Sequence, residues 1–261
     1  MIPTAATAAT VSTAPRRVPR SPQSRHRALC GALCFLAALP VGAAPTCQAS
    51  SGATITPVLE LYTSEGCSSC PPAEQWLSTL RDKAAVVQAF HVTYWDSLGW
   101  PDRFASPLYT ARQRDLAALN HADTVYTPQL VRNGQDWRDY ARATLSDEAA
   151  RVRITLSRTE ASEHYQARVQ PLQDSLTWNA YWSVTENGYS AHVSAGENAG
   201  SVLQHDFVVR QYVPVGRYSG AQTLDFVALA AVPGHERQIN LVVSEGAGAK
   251  TLQALSLRCK S

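Results

Sequence analysis

Residues 58–80 read VLELYTSEGCSSCPPAEQWLSTL, and their reading decides the fold. An apolar strand over 58–62 is followed by a short polar turn, the pair Cys67-Ser68-Ser69-Cys70, and a helix entered through Pro71-Pro72. Unpaired backbone N–H groups at a helix N-terminus favour negative charge and lower the pKa of a thiol placed there. A second thiol three residues away can then close a disulfide, so Cys67 and Cys70 are the candidate redox pair. The two prolines remove N–H donors from the first turn, which sets the helix start near Cys70 rather than Cys67. Glu60 lies inside the strand. A carboxylate there must be paired or protonated if buried; it is either a proton acceptor for the inner thiol or an exposed residue at a strand end.

Downstream, residues 73–83 carry Trp76, Leu77 and Leu80 at helical spacing. Residues 84–94 (AAVVQAFHVTY) form a β-rich run ending in Trp95-Asp96, at the carboxyl end of a strand, where open α/β sheets keep their sites. Asp96 either faces the cysteines or caps the next turn, and His91 reads as a packed core residue. Ser106-Pro107 is a helix start, and the helix runs to about Asn120 with Leu108, Ala111, Leu116 and Leu119 as its buried stripe. Asn133-Gly134 predicts a hairpin, with Thr127-Pro128 before its first strand, where a cis proline is at home. Ser146-Asp147-Glu148 opens a further short helix or turn. Residues 57–150 thus read β-α-β-α-β-β, an α/β domain. From Arg151 the texture changes to short strands over 151–157, 163–169, 177–185, 189–194, 205–213, 222–229, 238–244 and 250–257, with Asn187-Gly188 as a second hairpin signal. This predicts an antiparallel, sandwich-like all-β domain over 151–261. It shows no catalytic constellation; His205-Asp206 reads as a turn, and His164, His192 and His235 are scattered.

The amino terminus reads as a targeting segment. Residues 1–43 hold five arginines and no acidic residue, and residues 28–42 form an apolar run of fifteen, shorter than the roughly 20 a membrane span takes. A signal peptide over 1–43, followed by a linker over 44–56, is expected; an uncleaved anchor is the alternative. Setting those five arginines aside leaves 18 basic against 21 acidic residues, a balance of −3, so a basic nucleic-acid surface is not supported. Of the six cysteines, Cys30 and Cys34 fall in the leader, and Cys47, Cys67, Cys70 and Cys259 remain. Pairing Cys67 with Cys70 leaves Cys47 and Cys259 as a candidate structural disulfide or as two free thiols. A four-thiolate zinc site would need a second close cysteine pair, so no metal and no organic cofactor are expected.

ELYTSEGCSSCPPAE, YWDSLGWPDRFASPLYTARQ, VYTPQLVRNG and SAGENAGSVLQHDFVVR together resemble the DUF1223 family of exported bacterial proteins over about residues 57–257, and the first domain resembles the thioredoxin-like superfamily. The resemblance implies an α/β thioredoxin-like N-terminal domain, a periplasmic or secreted location, Cys67 as attacking thiol, Cys70 as resolving thiol, Pro128 as a cis proline facing the disulfide, and the backbone of Thr127 as a holder of substrate peptide. It departs from the superfamily at Glu60, one residue further from the first cysteine than the usual buried Asp, and at Gly66, Pro71 and Pro72. The expected function is an exported thiol–disulfide oxidoreductase acting on a protein thiol or disulfide partner. A binding module with a structural Cys67–Cys70 disulfide, and a copper carrier using the same sulfurs, are the alternatives. Oligomeric state and redox direction are not legible.

Overall fold

The structure, a computed structural model, describes Ala14 and residues 47–140, 148–159, 163–246 and 250–259. The expected leader, apart from Ala14, and most of the turn expected at 146–148 lie outside them. From Cys47 onward fourteen strands are described: β1 (Gln48–Ser50), β2 (Val58–Thr63), β3 (Val86–His91), β4 (Gln129–Arg132), β5 (Gln135–Asp136), β6 (Val152–Arg158), β7 (His164–Pro171), β8 (Thr177–Glu186), β9 (Tyr189–His192), β10 (Val202–His205), β11 (Val208–Ser219), β12 (Gln222–Val227), β13 (Arg237–Glu245) and β14 (Lys250–Leu257). The helices are α1 (Pro71–Ser78) and α2 (Pro107–Leu119), with a 3-10 segment at Thr93–Leu98.

One mixed sheet of eight strands, in the order β14-β13-β8-β11-β3-β2-β4-β5, runs through the molecule. A four-stranded sheet, β1-β6-β7-β12, stacks on its β8–β13–β14 end, and β9 and β10 form a separate hairpin. This overturns the expected α/β thioredoxin-like N-terminal domain followed by an all-β domain: the protein is mostly β, and no separate α/β domain is evident. The physical reason is the edge of β3. Left alone, β3 would present unpaired backbone groups. Instead the start of β11 pairs with it in parallel, Val208 opposite Ala89, while the rest of β11 pairs antiparallel with β8. Strand pairing across the whole chain is not written in local periodicity. The residues read as a linker likewise contribute β1, whose Gln48–Ser50 pairs antiparallel with β6.

Locally, some of the expected patterns hold and others do not. Parallel β2 and β3 are buried throughout, as strands covered on both faces are. Leu59, Leu61, Val87 and Ala89 pack with Ala73 and Leu77 of α1; Tyr62 and Phe90 pack with Tyr109 and Leu116 of α2. Ser106 caps α2, its hydroxyl accepting from the Leu108 N–H. The buried stripe of α2, however, is Tyr109, Thr110, Gln113, Leu116 and Ala117, and Leu108 is 46% exposed. Asn133-Gly134 makes the β4–β5 turn, both residues at positive φ. Asn187-Gly188 does not make a hairpin. It carries the chain out of β8 into β9, which pairs with β10 instead. There the Asn187 Oδ1 accepts the backbone N–H of Phe207, a residue held at φ 56° between β10 and β11. β11 tolerates Pro214 because a register shift separates it from Gly216 and the strand pairs with β3 only at its first residue.

Candidate functional site

Cys67 and Cys70 are joined in a disulfide with Cα atoms 5.5 Å apart. They follow the end of β2, and Cys70 is the N-cap of α1, its carbonyl accepting from the N–H groups of Ala73 and Glu74. The helix starts where Pro71-Pro72 dictate, so its dipole acts at Cys70 more than at Cys67. Both cysteines are fully buried, while Ser68 and Ser69 between them are exposed. Residues 193–201, the tip of the β9–β10 hairpin, are bonded to this loop. Asn198 donates from Nδ2 to the carbonyl oxygens of Glu65 (2.9 Å) and Cys67 (3.0 Å). Glu197 accepts from the N–H and hydroxyl of Ser68. Gly196, at φ +74°, lets the tip lie against Leu98 and Trp100, where a Cβ would stand 3.7 Å from that of Trp100.

The expected neighbours divide. Trp95 does belong here: its Cβ lies 3.1 Å from where Gly66 would carry one, and its indole N–H donates to the Thr127 hydroxyl at 2.8 Å. The Thr127-Pro128 bond is cis. Asp96 accepts the backbone N–H of Asp102 and so caps a turn; burial raises its pKa. Glu60 is spent elsewhere. It shares a face of β2 with Tyr62, pairs with Arg112 of α2 at 2.5 and 3.1 Å, and accepts from the hydroxyls of Tyr62 and Tyr181. Cys47 and Cys259 are joined, Cα atoms 5.6 Å apart, beside the core between the two sheets.

Five buried titratable residues lie next to the cysteine loop, and four of them, Glu74, His91, Asp102 and His205, were not assigned to the site from sequence. Glu74 follows Cys70 by one turn, and Glu65 precedes Cys67 by two residues. His205 Nδ1 is 2.5 Å from Glu74 Oε2, and its Nε2 is 3.3 Å from Glu65 Oε1. The Thr63 hydroxyl donates to Glu74 Oε1, and the Trp100 indole to Glu65 Oε2. His91 Nδ1 bonds Asp102 Oδ2 at 2.6 Å, and the two imidazoles meet edge to face with centroids 5.2 Å apart. Burial alone would push His205 down, but its hydrogen bonds to Glu65 and Glu74, and their charge, raise it to about 10. Burial opposes ionisation of Asp102 too, yet the charge and hydrogen bond of His91 hold it down at about 2. Glu74 is lowered against its own burial by His205, His91 and Thr63. His91 is a packed residue as expected, but a polar one; His205, read as a turn, ends β10 inside this cluster. Two of the quoted sequence stretches, YWDSLGWPDRF and SAGENAGSVLQH, converge here. They carry Trp100, Asp102, Glu197, Asn198 and His205, and their density of polar residues was the available signal.

Fold and site together define a mostly-β protein with a buried two-residue-spaced disulfide backed by an ionisable cluster. The chain belongs to the family described as "Protein of unknown function (DUF1223)", whose profile matches residues 58–244. Among solved structures it is similar to a crystal structure of a protein from Agrobacterium tumefaciens, at 22% identity and a TM-score of 0.60, over 81% of this chain and 97% of that one; at that identity the likeness speaks for the fold alone. No curated protein matches. Among the described residues no helix is long and apolar enough to cross a membrane.

Proposed function

We propose that the protein is an exported thiol–disulfide oxidoreductase working through Cys67–Cys70 on a protein thiol or disulfide partner. The observation that carries this reading is the pair itself: two cysteines closing a short disulfide at the entrance of a helix, next to buried groups able to hold a proton. Two disulfides in one chain suit an oxidising compartment. In the oxidising direction, a partner thiolate attacks Cys67 Sγ, the Cys67–Cys70 bond breaks, and Cys70 leaves as a thiolate that takes up a proton. The partner's second thiolate then attacks its own sulfur in the mixed disulfide, and Cys67 leaves and is protonated. The partner loses two electrons and two protons, and the Cys67–Cys70 pair gains them. Because the sulfurs are buried and the hairpin tip is bonded to Ser68 and Cys67, this reading has the tip lift before a partner attacks.

The reduction potential of Cys67–Cys70 against glutathione buffers tests this. A value between about −120 and −270 mV places it among working oxidoreductases, and Cys67→Ser then abolishes turnover of a test disulfide. Complete burial of both cysteines favours a second reading, a binding module in which the disulfide is structural. A potential below about −300 mV, or no reduction without denaturant, selects it and ends the first.

A further inference from the structure

Behind the disulfide, Glu74, His91 and His205 each turn one donor atom to a common point, and these atoms lie within 4.8 Å of one another. We infer that Glu74, His91 and His205 form a binding site for a first-row divalent transition ion of the zinc class. This does not rest on thiol exchange at Cys67–Cys70.

The three residues come from separate elements, α1, β3 and β10, and all are buried. His91 has only one nitrogen to offer. Its Nδ1 is bonded to Asp102, while its Nε2 is buried without any hydrogen-bond partner. An orphaned imidazole nitrogen in a fully covered residue carries an uncompensated desolvation cost, unless something coordinates it. His205 presents Nδ1 toward Glu74, and its Nε2 faces Glu65 Oε1 at 3.3 Å. Each imidazole is therefore backed by a carboxylate on its far side, Asp102 behind His91 and Glu65 behind His205, the arrangement that fixes the tautomer and orientation of metal-binding histidines. Glu74 is held in turn by the Thr63 hydroxyl.

Charge points the same way. Three carboxylates, Glu65, Glu74 and Asp102, are buried in this cluster with His91 and His205 as their ion-pair partners, and among the described residues none is paired with Lys or Arg. A divalent cation would compensate them with both imidazoles neutral. The three donors lie at most 4.8 Å apart; His205 Nδ1 and Glu74 Oε2, now hydrogen-bonded at 2.5 Å, would exchange the proton between them for the ion and part by about 1 Å to reach coordination at about 2.0–2.2 Å. Two imidazoles and one carboxylate suit zinc, with a fourth position left open.

The test uses the full chain, stripped with chelator, dialysed against Zn²⁺ and assayed for bound metal. About one ion per chain is expected in the parent protein and in the Cys67→Ser/Cys70→Ser variant. Binding is expected to be lost in His91→Ala and in Glu74→Gln, and weakened about 10–100-fold in Asp102→Asn, which removes only the outer partner. Co²⁺ loading should give a spectrum of nitrogen and oxygen ligation without a thiolate charge-transfer band. Should the inner variants fail to fold, the parent protein decides, because Zn²⁺ must raise its thermal midpoint. Failure of the folded parent to retain zinc overturns the proposal. So does retention undiminished in folded His91→Ala and Glu74→Gln, or a thiolate band that vanishes with the cysteines.

Discussion

Between the four-stranded sheet and the β8–β13–β14 end of the large sheet, the interior is apolar: Trp178, Trp182, Leu241 and Val243 face Ile154, Leu156, Leu224 and Phe226. Around β2 and β3 the same sheet buries charge on both faces. Glu60 and Arg112 lie on the α2 side, and Glu65, Glu74, His91, Asp102 and His205 lie by the cysteine loop. Burying ionised groups costs free energy that packing does not return unless every group is paired. The apolar half therefore carries the stability and the polar half spends it, and the redox pair stands in the polar half.

Two substitutions probe that contrast with the largest expected effects. Trp182 is fully buried and stacks on Phe226 with ring planes 7° apart. Trp182→Ala should lower the unfolding free energy by about 3–5 kcal/mol; a loss below about 1 kcal/mol in denaturant titrations would mean that the sandwich is not the stabilising half. In the other half, Glu60→Ala leaves the Arg112 guanidinium without its carboxylate and should cost about 3–5 kcal/mol. The contrast sharpens with the double replacement Glu60→Leu/Arg112→Met, which removes the stranded guanidinium but takes their Glu60 and Arg112 partners from the Tyr62, Tyr181 and Tyr212 hydroxyls, and so should recover only part of the Glu60→Ala loss. A double variant as unstable as Glu60→Ala alone would show that the pair is a net stabiliser, and the division between halves would fail.

Next in size is the Cys47–Cys259 bridge, which spans 212 residues beside the apolar core. Replacing both cysteines by serine should cost about 2–5 kcal/mol and leave the reduction potential of Cys67–Cys70 unchanged. A shifted potential would couple the two regions that the structure keeps apart.

How much of this was legible follows the same divide. Strands β6 to β9 and β12 to β14 stand close to where the sequence put them, because one-sided burial writes itself into period-two patterns and two-sided burial into short apolar runs between turn residues. The helix start at Cys70 followed from two prolines, and the β4–β5 turn from Asn133-Gly134. What local pattern could not carry was partnership at long range. Nothing near Val208 announces that it pairs with Ala89, so two domains were expected where one sheet runs through. Glu60 read from sequence as either a buried proton acceptor or an exposed strand-end residue, and nothing local named its partner Arg112, 52 residues away. The ionisable cluster was missed for the same reason: Glu74, His91 and His205 are 17 to 131 residues apart, and each alone reads as an ordinary helix, core or turn residue.

The smallest effect bears most directly on exchange. Asn198 is buried, and its side-chain amide serves two carbonyls of the cysteine loop, Glu65 and Cys67. Asn198→Ala should weaken the hold of the hairpin tip by about 1–3 kcal/mol, little of it global, since the tip lies outside the cores on either side. If tip opening precedes attack on the disulfide, reduction by a small dithiol should quicken about tenfold, the equivalent of about 1.4 kcal/mol, with the reduction potential nearly unchanged. Glu197→Ala, which removes a surface acceptor from Ser68, should act in the same direction but less. An unchanged rate in Asn198→Ala would mean that the sulfurs are reached without moving the tip. A faster rate in Asn198→Ala but not in Glu197→Ala would place the resistance at the buried carbonyls rather than at the exposed serine.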